Sequence, residues 1–474
     1  MAGATAHQHW SSRWTFLLAA IGSAVGLGNI WKFPYEAGEG GGGAFVLVYL
    51  AFVFAIGVPV LIAELSLGRR GQLSPIGSME KIAKEEGRSK GWSLIGWSGV
   101  VGGFIVISFY SVVGGWVLAY ILKAMAGFGG FDAAMSTETF GNFITDPVWP
   151  IVAHFAFLAI TVGIVARGVQ GGLEKAVTFL MPALFVMLLA LVIYSSITGD
   201  FYGAVNFLFN PDFGKLDLHT VLQALGLSFF SLSLALGSIM TYGSYLTKDI
   251  NIPRAAVMIA SADSAVALMA GLAIFPIVFA YGLNPGQSVG LVFTTLPIAF
   301  GQMPFGTVVG SFFFFLLAVA AVTSAISLLE PAVSYVEERT GISRAKVTVY
   351  IAGAAFLMGT LSAWGQSGNI LGDVKIFGLD IMGVKDFITN NIMMPLGGMF
   401  IALFVGWFVS RKTMMEELAM EDSTFKIWLF LVRYVCPVAI GAVFVSLIWD
   451  TVLRGLITCT GLGDLMGVVC AVPM

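Results

Sequence analysis

Long apolar segments, each separated from the next by a short polar stretch, follow one another along nearly the whole chain. A helix of about 20 apolar residues is long enough to cross the hydrocarbon core of a bilayer. The pattern therefore predicts an all-α chain with about eleven membrane spans. We place the spans near residues 13–37, 43–67, 95–124, 148–166, 173–197, 219–246, 254–282, 305–336, 345–364, 386–410 and 425–452.

Two stretches between the spans also carry structural signals. Charged residues at helical spacing between Ser74 and Trp92 predict an amphipathic helix on the cytoplasmic side. The segment from Asn284 to Phe305 is moderately apolar and interrupted by prolines, so it predicts a helical external loop. That loop is equally compatible with a lid that packs down on the protein and with a surface loop that has no such role.

Composition and charge set the class of protein and its orientation. The chain of 474 residues is 58% hydrophobic and 11% charged, whereas soluble proteins average about 25% charged residues. We therefore expect an integral membrane protein whose partner is the lipid bilayer, with no nucleic-acid partner. Most of the 24 Lys and Arg residues flank the spans on the side of the N-terminus. Basic loops stay in the cytoplasm, so we expect a cytoplasmic N-terminus.

Glycines interrupt the first span in the stretch Gly22–Pro34, where Gly22, Gly26 and Gly28 follow at short intervals. Each glycine costs a helix about 1 kcal/mol relative to alanine. A broken helix inside the membrane frees backbone groups, and these are tolerated where they line a cavity or bind a ligand. The same glycines are equally compatible with two helices that pack closely.

The sixth span contains a related stretch. Ser233–Ile239 (SLALGSI) aligns without gaps with Ala24–Ile30 (AVGLGNI) of the first span. Five spans separate the starts of the two stretches, so the second copy enters the membrane from the opposite side. Interrupted segments at matching positions of two halves indicate a transporter site between inverted repeats.

These motifs resemble those of the neurotransmitter:sodium symporter family, especially its bacterial amino-acid transporters. The resemblance extends from Trp10 to about Trp449. It rests on the text GSAVGLGNIWKFPYEAGEGGGG, on Ala63-Glu64-Leu65 with Gly68-Arg69, on FFSLSLALGSIMTYGSY and on AAVTSAISLLEP.

The resemblance implies an all-α integral membrane fold and a sodium-coupled symporter. In that fold, residues 1–474 form one transporter domain with broken helices 1 and 6. Its parts are inverted five-helix repeats at about 10–200 and 218–411, an extra helix at about 425–452 and a short tail at 454–474. The implied activity is import of a neutral, hydrophobic or aromatic L-amino acid by alternating access, across the inner membrane of a bacterium.

The resemblance also assigns substrate-binding residues. The N–H groups that begin the second half of span one would bind the substrate carboxylate, because a helix N-terminus attracts anions. Family members that carry amines have an acidic residue at the position of Gly26, so glycine there implies an amino acid. The full set is Ala24, Gly26, Leu27, Gly28, Val106, Tyr110, Phe230, Ser231, Ser233, Leu236, Ala325 and Leu328.

Two sodium ions are implied in the same way. The first would be held by Ala24, Asn29, Ser231, Asp263 and the substrate carboxylate, and the second by Gly22, Val25, Ala320, Thr323 and Ser324. Asp263 departs from the family, which usually has asparagine there. We expect its charge to replace the chloride ion of animal relatives, so transport would not require chloride; a structural carboxylate is the alternative.

The resemblance also implies residues that act as an outer and an inner gate. Lys32 and Asp386 resemble an outer ion pair, and Ser244, Tyr245 and Glu338 resemble an inner gate whose family arginine is replaced by His7. The spacing from Gly172 to Pro182 resembles a bacterial motif that unwinds to open an inward path. A helix start followed by a proline kink is the alternative for that spacing.

A sensor or ion-conducting protein that binds an amino acid without coupled transport is the second hypothesis. Complete sodium sites favour the symporter over it. An enzyme is not expected, because the chain has no HExxH, no GxxxxGK[ST] and no GxSxG placed after a strand. The sequence leaves open the preferred amino acid, the sodium stoichiometry, proton counter-transport and the oligomeric state.

Overall fold

The computed structural model describes residues 9–283, 290–366, 370–376 and 378–448. Regular secondary structure in these ranges is helical, and β pairing is limited to two isolated bridges, Gly42 with Pro211 and Ile376 with Leu379. The first nine helices are α1 Arg13–Ala24, α2 Gly28–Glu39, α3 Gly43–Gly71, α4 Pro75–Glu85, α5 Lys90–Ala126, α6 Ala133–Thr145, α7 Trp149–Val165, α8 Val169–Thr198 and α9 Phe201–Phe209. The next nine are α10 Leu218–Ser231, α11 Ser238–Ser244, α12 Ile252–Ala280, α13 Leu291–Gln302, α14 Gly306–Thr340, α15 Arg344–Trp364, α16 Ile381–Phe408, α17 Arg411–Leu418 and α18 Asp422–Ser446.

The predicted all-α membrane fold is confirmed. Among the described residues, eight helices (α3, α5, α8, α12, α14, α15, α16 and α18) are each long and apolar enough to cross a bilayer. Two bent pairs, α1 with α2 at 48° and α6 with α7 at 75°, bring the number to as many as ten. α10 and α11 are each too short to cross alone and lie where the sixth span was predicted. Each predicted span therefore coincides with a helix or with a broken helix.

Side-chain caps explain where several of these helices begin. Ser12 and Thr15 form a reciprocal capping box at the start of α1, with both backbone-to-hydroxyl distances at 3.2 Å. Asp217 caps α10 by accepting a hydrogen bond from Thr220 N–H at 2.7 Å. Such caps satisfy N–H groups that have no partner within the helix. Both capped helices lead from a polar connection directly into one of the two broken spans.

The broken helices lie in the middle of the bundle. The most apolar part of α14 is 89% buried by the protein, whereas the corresponding part of α18 is 28% buried. α14 packs along α5 and contacts α1, while α12 contacts α1 and α2. The first and sixth spans are thus surrounded by other helices, and α18 lies at the periphery.

The sequence predicted two of the helices that lie outside the spans, α4 and α13. The predicted amphipathic helix between Ser74 and Trp92 is α4. The predicted external segment contains α13, and its residues 284–289 lie outside the described residues. Phe293 of α13 stacks on Phe140 of α6 with ring centroids 5.2 Å apart, so α13 packs down on the bundle. The tail 454–474 and the end of the last predicted span also lie outside the described residues.

Candidate functional site

The first span breaks between Ala24 and Gly28. α1 ends at Ala24, the backbone of Val25 is extended (φ −72°, ψ 107°), and α2 continues at an angle of 48°. Gly26 lies in this break, where a Cβ atom would come within 3.2 Å of the Tyr110 hydroxyl and would collide with Ser324 Oγ. A side chain therefore does not fit at Gly26 without displacing its neighbours.

The sixth span breaks between α10 and α11. Three residues of the break have positive φ angles: Ser233 at 52°, Ala235 at 62° and Gly237 at 74°. Residues other than glycine rarely adopt such angles, so the surroundings must stabilise this backbone. The fully buried carboxylate of Glu64 accepts a hydrogen bond from Ala235 N–H at 3.0 Å. Glu64 thereby holds the unwound segment in place.

The two breaks meet and enclose a cavity. Ser233 Oγ donates a hydrogen bond to the Ser23 carbonyl at 2.8 Å, which joins one break to the other. The cavity holds about 330 Å³ of space between protein atoms. It is lined by Ser23, Ala24, Gly26, Leu27, Gly28, Val106, Tyr110, Phe230, Ser233, Leu236, Ser324 and Leu328. Of the residues predicted to bind substrate, only Ser231 and Ala325 do not line it.

The cavity lining combines polar and apolar groups. Leu27 N–H points to the Tyr110 hydroxyl at 3.4 Å, next to the N-terminus of α2. The side chains of Val106, Leu236 and Leu328, all buried, are apolar. A cavity with a few polar groups in a largely apolar lining suits a small molecule with a charged head and an apolar side chain.

A buried polar cluster surrounds Asp263 beside the cavity. Asn29 Nδ2 donates to Asp263 Oδ1 at 2.7 Å and to the Asp263 carbonyl at 3.1 Å. The Tyr49 hydroxyl lies 3.3 Å from Asp263 Oδ2 and 3.0 Å from Ser231 Oγ. The side chains predicted for the first sodium ion are thus neighbours, although Ser231 faces this cluster rather than the cavity.

The residues predicted for the second sodium ion also come together. Ser324 Oγ lies 3.4 Å from the Gly22 carbonyl and 3.3 Å from the Val25 carbonyl. Thr323 Oγ1 lies 3.0 Å from the Ala320 carbonyl. Oxygen atoms of α14 and of the broken end of α1 therefore face one another, as oxygen ligands of a hard cation must.

A larger opening, which we call the vestibule, lies on one side of the cavity. It holds about 1300 Å³. Four residues line both the cavity and the vestibule and so lie between the two spaces: Leu27, Gly28, Tyr110 and Phe230. Lys32 and Asp386 line the vestibule as well. Lys32 Nζ is 3.7 Å from Glu36 Oε1, and no ion pair joins it to Asp386 within the described part of the chain.

The opposite side of the cavity is closed by the segment before α1. Trp10 Nε1 donates to the Tyr242 carbonyl at 3.0 Å, and the Trp10 ring packs on Tyr245. Tyr245 in turn donates to Glu330 Oε1 at 2.6 Å, and Glu330 forms a buried ion pair with Arg344. We call this side the Trp10 face.

The other predicted inner-gate residues are placed as follows. Ser244 is buried at the end of α11, next to Tyr245. Glu338 accepts a hydrogen bond from Ser74 N–H at 2.7 Å, where α4 begins. His7 lies outside the described residues. Gly172 and Pro182 both lie within α8, which is helical through that spacing in this structure.

Several residues of the site were not assigned a role from the sequence. Ser23 lies between predicted residues and contributes its carbonyl, which residue type does not reveal. Glu64 and Glu330 are acidic residues inside apolar spans, and that alone is a signal of function. Trp10 carried no signal, because its contacts with Tyr242 and Tyr245 join residues more than 230 positions apart along the chain.

Comparison with known proteins agrees with this arrangement. The chain matches the family model of the Sodium:neurotransmitter symporter family over residues 7–128 and 133–455. It is 40% identical to an uncharacterized sodium-dependent transporter, YhdH, of Bacillus subtilis, and the match covers 93% of this chain and 97% of that protein. It is 34% identical to an uncharacterized sodium-dependent transporter of Haemophilus influenzae, over 93% of this chain and 98% of that protein.

A solved structure is also similar. The crystal structure of MhsT in complex with L-phenylalanine superposes with a TM-score of 0.86 at 43% identity, and the match covers 93% of this chain and 99% of that one. Family model, relatives and structure agree over nearly the whole chain. The chain therefore belongs to the sodium:neurotransmitter symporter family.

Proposed function

We propose that this protein imports a neutral, hydrophobic L-amino acid together with sodium. The observation that carries the proposal is the cavity at the two helix breaks, polar at Leu27 and Tyr110 and apolar at Val106, Leu236 and Leu328. The substrate carboxylate would lie at the N-terminus of α2, where free N–H groups and the helix dipole stabilise negative charge. The side chain would then pack against Val106, Leu236 and Leu328.

Substrate size is proposed from the residues that line the cavity and from the relative of known structure. The apolar side chains of Val106, Leu236 and Leu328 line the cavity together with polar groups of the helix breaks. A single amino acid suits such a lining, and MhsT was crystallised with L-phenylalanine. Large aliphatic and aromatic amino acids are therefore the proposed substrates.

Sodium would bind at the two oxygen clusters. The cluster of Asn29, Ser231 and Asp263 lies beside the first helix break. The substrate carboxylate would therefore complete the first site. A ligand shared in this way makes ion affinity and substrate affinity depend on each other directly. The second ion would lie between α1 and α14, at Ser324 and Thr323. Its binding would join the half-helix α1 to the central helix.

Chloride independence is proposed for the same cluster. Asp263 brings a fixed negative charge to a membrane-buried site whose other side chains, Asn29, Tyr49 and Ser231, are neutral. That charge balances a sodium ion without a mobile anion. Charged groups inside a membrane are costly and mark functional sites, and the hydrogen-bond partners of Asp263 are neutral side chains rather than an opposite charge.

Alternating access would use the two faces. We propose that the Trp10 face is cytoplasmic, as the basic residues indicate, and that the vestibule opens to the outside of the bacterial inner membrane. Lys32 and Asp386 would close the vestibule. Ser244, Tyr245 and Glu338 would close the Trp10 face, and local unwinding of α8 between Gly172 and Pro182 would open it.

Uptake into proteoliposomes tests the proposal. Radiolabelled leucine, phenylalanine and tryptophan are offered with an inward sodium gradient, with potassium in place of sodium, and with gluconate in place of chloride. We expect accumulation that requires sodium and is unchanged in gluconate. Glutamate and lysine serve as charged controls and should not accumulate. Saturable binding in detergent without accumulation in vesicles would favour the sensor, and a requirement for chloride would contradict the role given to Asp263.

A further inference from the structure

Two carboxylates, those of Glu36 and Asp386, are candidate ion-pair partners of the Lys32 ammonium group. It lies 3.7 Å from Glu36 Oε1 and 5.0 Å from the centroid of the Phe230 ring. Asp386, the residue predicted to pair with Lys32, lines the same vestibule, and Asn390 Nδ2 donates to its Oδ1 at 2.6 Å. Within the described residues Lys32 is thus paired with a residue of its own helix, α2, instead of with α16.

Other charged groups near the vestibule are already engaged. Asp380 accepts hydrogen bonds at both carboxylate oxygens, from Gly383 N–H at 2.7 Å and from Gln366 Nε2 at 2.8 Å. Lys385 turns away and donates to α15, at the Met358 carbonyl (2.5 Å) and at a hydroxyl (2.7 Å). Lys32 is therefore the cation available to both Glu36 and Asp386.

Burial makes the Glu36 carboxylate dependent on the ammonium group of Lys32 as its counter-charge. The residue is 5% exposed, and its Oε2 atom has no hydrogen-bond partner among the residues that the structure describes. A buried carboxylate that loses its ion-pair partner is strongly destabilised, because neither water nor a donor replaces the lost charge. Any movement of Lys32 toward Asp386 therefore costs free energy at Glu36, which either keeps its charge without a partner or takes up a proton.

We propose that Glu36 is a positioning residue that competes with Asp386 for Lys32 and so opposes closure of the vestibule. The proposal rests on the proposed function only in taking Lys32 and Asp386 as the outer gate. A lysine suits such an exchange, since a compact ammonium on a flexible chain changes partners more readily than the planar fork of arginine. Closure then requires that the free energy gained when Lys32 pairs with Asp386, and when the gate closes over the bound substrate, exceed the free energy lost at Glu36.

Accessibility of a cysteine beneath the gate measures this equilibrium without any transport. Val113→Cys places a thiol of nearly conserved volume on the wall of the vestibule, in a chain whose three native cysteines are replaced by serine. A membrane-impermeant maleimide is applied to purified protein in nanodiscs, in sodium and without amino acid. We expect Glu36→Gln to slow modification about fivefold, the change that one modest ion pair makes in an equilibrium.

Two further variants separate competition from other effects. Glu39→Gln removes the same charge from an exposed position on α2, and we expect its modification rate to stay within about twofold of the parent. Asp386→Asn removes the competitor, so modification should be faster than in the parent. Adding Glu36→Gln to Asp386→Asn should then have little effect, because Lys32 has no partner toward which to close.

Three results would overturn the proposal. Glu36→Gln could leave the rate unchanged, it could increase the rate, or Glu39→Gln could slow the reaction equally, which would indicate a general field effect. Misfolding is recognised by the elution profile in detergent, and Glu36→Asp then serves as a milder variant with an intermediate rate. Since labelling needs no uptake, a protein that fails to accumulate amino acids can still show the exchange, and the two failures remain distinguishable.

Discussion

The roles proposed for Gly26 and Asp263 depend on the groups packed around them. Gly26 leaves room at the point where Tyr110 and Ser324 approach the backbone of the first break, and Asp263 brings charge to a place with no other charge among its hydrogen-bond partners. Each residue can be replaced on its own, and the expected changes are in substrate affinity for Gly26 and in chloride dependence for Asp263.

Substitution of Gly26 by alanine should abolish high-affinity substrate binding. The added methyl group would press on the Tyr110 hydroxyl and on Ser324 Oγ, and overpacking of this kind costs about 1–3 kcal/mol. We expect amino-acid affinity, measured by scintillation proximity, to fall about tenfold or more. Gly226→Ala in α10 is the matched control, because a Cβ atom there meets nothing within 4 Å. Equal affinities for the two variants would contradict this account of Gly26.

Substitution of Asp263 by asparagine should make transport depend on chloride. Loss of the fixed charge leaves a bound sodium ion uncompensated, so uptake in gluconate should fall about tenfold or more. Chloride should restore part of it, because a mobile anion can supply the missing charge. Tyr49→Phe, which removes a hydrogen bond at 3.3 Å from the same carboxylate without changing charge, should remain insensitive to chloride. An Asp263→Asn variant that transports equally in both salts would remove the basis for this role.

At the scale of elements, the two breaks are made in different ways. The first lies at glycines that are equally compatible with a break and with close helix packing, and the family resemblance implied the break. The second has positive φ angles at Ser233 and Ala235, which residue type disfavours, so the sequence indicates this break only through its likeness to the first. Its stability comes from Glu64, a residue on α3. Contacts between distant elements of this kind have no local signature, and Trp10, Glu36 and the Glu330–Arg344 pair were missed for the same reason.

Replacement of Pro182 by alanine should slow transport without weakening binding. Proline inside a helix costs about 3 kcal/mol relative to alanine, so the variant strengthens α8 in the region proposed to unwind. We expect a lower maximal uptake rate, unchanged amino-acid affinity in detergent and slower hydrogen exchange over residues 169–182. Pro150→Ala is the control, since Pro150 lies in the first turn of α7, where proline is tolerated. Faster uptake by Pro182→Ala would contradict the proposed unwinding.

The whole molecule should respond to its two ligands jointly. Because the substrate carboxylate is proposed as a sodium ligand, each ligand should raise the affinity for the other. A ligand at about 100 times its Kd stabilises the native state by about 2.7 kcal/mol. We expect sodium and phenylalanine together to raise the apparent Tm, followed by tryptophan fluorescence, by more than the sum of their separate effects. Potassium or choline in place of sodium should show no such excess, and strictly additive shifts would argue against a shared ligand.

The deep burial of α14 has a consequence for how the protein is made. This helix of 35 residues is about 52 Å long, well over the roughly 30 Å of the hydrocarbon core, and 89% of its most apolar part is buried inside the protein. It leaves the ribosome after α1, α5 and α8, which pack against it. α14 therefore joins partners already in the membrane, and Thr323, Ser324 and Glu330 need not face lipid once it has docked. The last wall of the transport site is thus added late, and a chain cut short before α14 would keep both helix breaks but lack the oxygen atoms that face them.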